Sequence, residues 1–148
     1  MPSVHRLFGS AEEVETAFYE ALAKGDIQAL MDLWADEEEV VCIHPNGGRL
    51  VGLTAIRQSY EEIFSLGVLP MTLGEVRVLN TLTNSIHHVI ELLHLPGTDK
   101  QQQMNAAVMA TNVYIKYPQG WRMVLHHASP LAEWQTSGIS NDRPDTLH

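Results

Sequence analysis

Histidine at the end of an apolar strand is the first feature of this sequence that points to chemistry. His44 closes the run Val40-Val41-Cys42-Ile43 and directly precedes the turn Pro45-Asn46-Gly47-Gly48, with a short return through Leu50 and Val51 to Gly52. Such a strand end places a titratable side chain where buried backbone meets a turn. A neutral imidazole, with an unperturbed pKa of ~6.5, can take a proton from carbon or from water near neutral pH. The other use of His44 is structural, a hydrogen bond to backbone that shapes the turn before Pro45.

Two further histidine pairs, His87-His88 and His126-His127, lie in segments of period two. Adjacent strand residues face opposite sides, so neither pair can chelate one ion, and only one member of each can look inward. His127 shares its alternation with Trp121, Met123 and Leu125, whereas His126 goes with Arg122 and Val124. No His-x-His spacing or neighbouring strand carboxylate supports a metal site, and none is expected. Asn112 stands alone as a polar residue in an apolar strand and needs partners if buried. Phe18, Met31, Trp34, Tyr60 and Met123 are core residues by spacing, and in an open-mouthed fold they double as walls of a ligand site. Cys42, the single cysteine, reads as a small core hydrophobe and excludes an intramolecular disulfide. Gly-x-Ser-x-Gly, Walker and dinucleotide motifs are missing, so no cofactor is expected.

The elements that position these residues follow from periodicity. Ser10-Ala11-Glu12-Glu13 is a capping box, and Val14, Ala17, Phe18, Ala21 and Leu22 form one apolar stripe up to Gly25. Asp26 can cap a second helix carrying Ile27, Leu30, Met31 and Trp34, and Thr54 a third carrying Ile56, Ser59, Tyr60, Ile63 and Phe64 up to Gly67. From Thr72 the period becomes two, predicting strands over 72–81, 85–95, 103–117 and 121–129. The joints are Thr83-Asn84, Pro96 to Lys100, and Pro118-Gln119-Gly120. Helices first and strands after give an α+β fold with an antiparallel sheet. The chain divides into an N-terminal extension (1–9), one domain (10–130) and a C-terminal tail (131–148).

A net charge of -9 argues against nucleic acid as a partner. The acidic residues, Glu12, Glu13, Glu15, Asp36 to Glu39, Glu61 and Glu62 among them, read as a solvated surface. Without a long apolar run or an apolar leader, a soluble cytoplasmic protein is expected, not a membrane one. The third long strand is apolar on both faces: Met104, Ala106, Val108 and Ala110 alternate with Ala107, Met109, Val113 and Ile115. One face would cover helices; the other is expected to meet a second copy in a homodimer.

Four segments in this order, ALAKGDIQALMDLWADEEEVV, IHPNGGRLVGLTAIRQSY, the long strands and GWRMVLHHASP, resemble the nuclear transport factor 2-like superfamily, in particular its SnoaL-like and DUF4440-type members. The resemblance implies a cone: a curved antiparallel sheet wrapped around three N-terminal helices, with a pocket at one end and usually a dimer. It implies no single activity, because the fold hosts isomerases, dehydratases and binding modules alike. Matched to ketosteroid isomerase, His44 falls at the general-base position, Phe18 falls where that family has its oxyanion-binding tyrosine, and the closing strand favours His127 as the inward histidine. Phenylalanine has no hydroxyl to donate, so the resemblance implies a base-bearing pocket without that enzyme's full apparatus. The expected function is binding of a small apolar or aromatic metabolite, with cofactor-free proton transfer by His44, assisted by His127 and Asn112. The alternative is a non-catalytic dimerisation or ligand-sensing module.

Overall fold

The computed structural model describes residues 6–94 and 105–131. The Pro96 to Lys100 connection, Met104 and the tail from 132 onward lie outside the described residues. Helix α1 (Ala11–Lys24) starts at its capping residues. Ser10 Oγ accepts from Glu13 N–H at 3.1 Å, and the Glu13 carboxyl reaches back to Gly9 N–H at 3.2 Å. Gly25, in the left-handed region, stops the helix, and Asp26 caps α2 (Ile27–Asp32) by accepting from Ala29 N–H at 3.1 Å.

Helix α2 is shorter than its apolar spacing predicts. After Asp32 the backbone turns toward the sheet, because Leu33 and Ala35 both find hydrogen-bond partners on Met123, each at 2.9 Å. Trp34 therefore sits in an isolated bridge beside Met123 and not on a helix. Strands β1 (Val41–Ile43) and β2 (Arg49–Val51) follow, then α3 (Leu53–Leu66). Gly52, not Thr54, stands at the start of α3, where no side chain caps the helix. Four long strands complete the chain: β3 (Met71–Asn80), β4 (Asn84–His94), β5 (Asn105–Tyr117) and β6 (Gly120–Pro130).

The six strands form one sheet in the order β2-β1-β6-β5-β4-β3. The sheet is mixed and not wholly antiparallel, since β1 runs parallel to β6. A parallel neighbour needs a long crossover, and α3 with the four intervening strands supplies it. The helices cover the inner face of this curved sheet, and the whole is an α+β cone. The core lies between them, built on Val14, Phe18 and Leu22 of α1, Ile56 and Tyr60 of α3, and Val89, Tyr114 and Met123 of the sheet.

Register decides what the inner face carries. Cys42 pairs with His126, His126 with Asn112, and Asn112 with His87, so four polar side chains cross four strands in one row beneath the helices. On the outer face another row crosses all six strands and is wholly apolar: Val51, Val41, Leu125, Val113, Ile86 and Leu79.

The β5–β6 turn is held by the segment before α1. Gly120 adopts φ 106, Trp121 N–H donates to Phe8 O at 2.9 Å, and a Cβ on Gly120 would stand 2.7 Å from the same oxygen. Gly120→Ala combines a disfavoured backbone conformation with a clash against backbone, and is expected to destabilise the protein by about 2 kcal/mol or more in urea unfolding.

Candidate functional site

The site is built from the end of β1, one face of α3 and the inner face of the long strands. His44, on leaving β1, meets Ser59 of α3, with Nε2 3.0 Å from Ser59 Oγ. The one hydroxyl proton of Ser59 goes to Ile56 O at 2.8 Å, the usual back-bond of a helical serine. Ser59 Oγ must therefore accept from His44, which puts the imidazole proton on Nε2 and the lone pair on Nδ1. The ring stands edge-on to Tyr60 at 4.8 Å between centroids, and burial lowers its pKa, so it is neutral at neutral pH. Cys42 lies behind it, 3.6 Å from the Tyr60 hydroxyl; burial pushes the thiol up to about 11, which leaves it without nucleophilic character.

A cavity of about 490 Å³ opens beside His44. Leu22 of α1, Ile63 of α3, and Met71, Leu93 and Val108 of the sheet make it mostly apolar, while His44, Ser59, Glu62, Glu91 and His126 are its polar lining residues. This combination of apolar walls with a few convergent polar groups is the usual character of a small-molecule site.

Behind the cavity runs a connected chain of buried polar side chains. His126, 4% exposed, has Nδ1 2.6 Å from Asn112 Oδ1. An amide oxygen only accepts, so His126 carries its proton on Nδ1 and turns a bare Nε2 away from Asn112. Burial, with smaller contributions from His44 and His127, pushes the His126 pKa down to about 3. The Asn112 amide N–H donates to the Tyr19 hydroxyl at 3.0 Å, and Tyr19 donates to Glu91 at 2.6 Å. A second branch centres on Glu15, which meets His87 Nδ1 at 2.9 Å and accepts from Tyr114 O–H at 2.9 Å. Asn112 also reaches Glu15, at 3.4 Å, and so joins the branches. Burial is the main cause that raises the Glu91 pKa to about 7; the Tyr19 hydrogen bond partly offsets it and the charge of Glu15 adds to it.

Of the residues singled out in the sequence, His44 and Tyr60 line the cavity. His126 and not His127 is the inward member of its pair; His127 is exposed. A bulge explains the reversal. Tyr114 pairs with Met123 but Val113 pairs with Leu125, so Val124 is an extra residue that flips the alternation between Met123 and His126. By simple alternation His87 is inward and His88 outward. Phe18 is fully buried core, its ring 5.0 Å from that of His126, and Met123 and Asn112 are fully buried one layer behind the cavity. Met31 packs against the core half-buried, and Trp34 lines a different hollow with Glu37, Tyr117 and Arg122. Among the described residues no three His, Cys, Asp or Glu side chains are grouped as a metal ion would need.

Glu15, read from the sequence as surface acidity, is buried. Glu91, Tyr19 and Tyr114 were not singled out at all. A signal existed for Glu91: Ser85, His87, Val89 and Glu91 alternate with Ile86, His88, Ile90 and Leu92, so polar residues share one face of β4. Nothing in the pattern says that this face is the inner one.

Residues 11–133 match the model of the SnoaL-like domain, and the chain belongs to this family within the nuclear transport factor 2-like superfamily. A Thiobacillus denitrificans protein provisionally named a calcium/calmodulin-dependent protein kinase type II association domain is 34% identical, with a TM-score of 0.78 over 86% of this chain and 99% of that one. A Streptomyces avermitilis protein of the NTF2-like family, provisionally named a dehydratase, is 32% identical, with a TM-score of 0.69 over 80% and 91%. A ketosteroid isomerase-like protein from Erwinia carotovora atroseptica shares the fold at 18% identity, with a TM-score of 0.65 over 82% and 93%. No curated protein matches the chain. Among the described residues no helix is long and apolar enough to cross a membrane.

Asn112 is the joint of the buried polar chain, so its removal leaves the His126 Nδ1–H without an acceptor. Asn112→Ala is expected to lower unfolding stability by about 2–4 kcal/mol, the sum of an orphaned donor and a small cavity, read by urea denaturation.

Proposed function

We propose that the cavity binds a small apolar or aromatic metabolite and carries out a cofactor-free proton transfer of the isomerase or dehydratase type, with His44 as the base. The observation that carries this reading is the His44 tautomer. With Nε2–H spent on Ser59, the basic Nδ1 is left without a hydrogen-bond partner among the described residues, beside a cavity large enough to hold a ligand. Burial keeps the ring neutral, the state a base requires. The relative provisionally named a dehydratase, at 32% identity, is consistent with such chemistry. Asn112 supports it by holding His126, the inward histidine, in the role expected of His127.

A second reading, a module for association, draws on the name of the 34% identical relative and on the apolar row across the outer sheet face. Leu79, Ile86 and Val51 of that row are exposed in the single chain. A homodimer through this face would cover them, and it is compatible with a working cavity because the cavity lies on the opposite side of the sheet.

Ligand screening by thermal shift tests the first reading. His44→Ala is expected to abolish turnover of any converted ligand, a fall of about 100-fold or more, without a matching loss of thermal stability; loss of stability alone would assign His44 a structural role. Light scattering tests the second: Leu125→Glu is expected to convert a dimer to monomer. A monomeric wild-type protein would remove the association reading.

A further inference from the structure

We propose that the ligand of this cavity is a primary amine on an apolar or aromatic body, bound as its ammonium cation by the carboxylate of Glu91. The proposal rests on the cavity reading above and deepens it by naming the group through which the ligand is held. Glu91 is only 2% exposed, yet it lines the cavity. Its Oε2 accepts from Tyr19 O–H at 2.6 Å, and its Oε1 has no partner among the described residues. Among those residues, the one fully enclosed side-chain nitrogen or oxygen left without a partner is Trp34 Nε1. Glu91 Oε1 is therefore not sealed in protein, and it opens into the cavity. The same reasoning places His126 Nε2 there, since it is bare and is not an enclosed orphan.

The other polar groups of the cavity offer lone pairs. His44 Nδ1 and His126 Nε2 are bare, Ser59 has spent its hydroxyl proton on Ile56, and the Tyr60 hydroxyl lies against Cys42. Glu62 adds a further acidic side chain to the lining. A ligand that satisfies such a wall must bring donors, and an ammonium group brings three. Charge points the same way. The groups facing Glu91 are Tyr19 and Glu15 from α1, Cys42 from β1 and Tyr60 from α3. Asn112 of β5 reaches it through Tyr19, and His126 of β6, neutral with its pKa near 3, shares its cavity. None of these is a cation, and no lysine or arginine lines the cavity. Buried charges are ordinarily paired, so a carboxylate in this place lacks the counter-charge that an ammonium supplies.

Without ligand, burial leaves Glu91 a mixture of acid and carboxylate near neutral pH, because its pKa is raised to about 7. A bound cation favours the carboxylate, so binding below that pH drives a proton from Glu91 into solvent. Leu22, Ile63, Met71, Leu93 and Val108 receive the apolar body. The ammonium is the handle by which the ligand is held, and His44 keeps its role toward the rest of the molecule.

The test compares 2-naphthylmethylamine with 2-naphthylmethanol, its neutral isostere, and with 2-methylnaphthalene, which has no polar group. Binding is followed by calorimetry, and Glu91 Cδ by carbon NMR. Only the carboxylate pairs with the cation, so amine affinity rises about tenfold from about pH 6 to about pH 8, as Glu91 ionises through its pKa near 7. The alcohol and the hydrocarbon are indifferent to pH over that range. At about pH 6, saturation with the amine moves Glu91 Cδ to its carboxylate position. Glu91→Gln is expected to weaken the amine about 100-fold and to leave the hydrocarbon unaffected. Tyr19→Phe removes the contact that holds the Glu91 pKa down and moves the rise to higher pH, which tests the idea should Glu91→Gln fail to fold. His44→Ala retains the rise, so loss of the His44 role and loss of the Glu91 role read out separately. An amine bound no more tightly than the alcohol at about pH 8, an amine affinity independent of pH, or a Glu91 Cδ unmoved by the amine each overturns the proposal. Binding of the alcohol and the hydrocarbon without the amine overturns it too and leaves the apolar-ligand reading standing, whereas failure of all three probes to bind removes both.

Discussion

The interior of this cone holds more hydrogen-bonding side chains than an apolar core tolerates, and Asn112 is what makes that arrangement self-consistent. Its amide oxygen accepts from His126, and its amide nitrogen donates to Tyr19 and reaches Glu15. Each of these partners is itself buried, so each would carry a desolvation cost if left alone. One side chain thus determines the tautomer of His126, directs the Tyr19 proton to Glu91 and ties α1 to the centre of the sheet.

Around this joint, the long strands and α1 form a rigid floor, and β1 with α3 forms the wall that bears His44. The two parts use different devices. The floor is a network whose protons are assigned by acceptor-only and donor-only groups. The wall needs one helical serine whose hydroxyl is already committed to its own backbone. In both cases the protonation of a histidine follows from what its neighbour can still accept. That logic requires no ligand, and it leaves basic nitrogen on the histidines of a cavity whose walls are mostly apolar.

The SnoaL-like family and the fold it shares with proteins of different names set the limits within which such a cavity is read. A cone with a helical lining and a mixed sheet is a container, and what it does depends on the few polar groups at its wall and floor. Phe18, whose ring has no hydroxyl to donate, is packed here as core. The neighbouring Tyr19 points its hydroxyl at Glu91 instead. Hydroxyl, amide and carboxyl are therefore all present inside the cone, in an order of this chain's own.

Much of the fold was legible in the sequence because local rules dominate there. Ser10 and Glu13, Gly25 and Asp26, and the change to period two after Thr72 mark elements that the structure places within a residue or two. His44 at a strand end was legible for the same reason. The rest depended on contacts between distant segments. Pairing of Leu33 and Ala35 with Met123 ended α2 early, and the parallel β1–β6 pair needed a partner some eighty residues away. The bulge at Val124 exchanged His127 for His126. Burial of Glu15 and Glu91 could not be read from local pattern, because alternation says which residues share a face and never which face is inside. The sequence by itself determined the elements and the strand-end histidine, whose causes lie within a few residues; the tertiary structure alone decided the inner row, the tautomers and the buried acids, whose causes lie across the sheet.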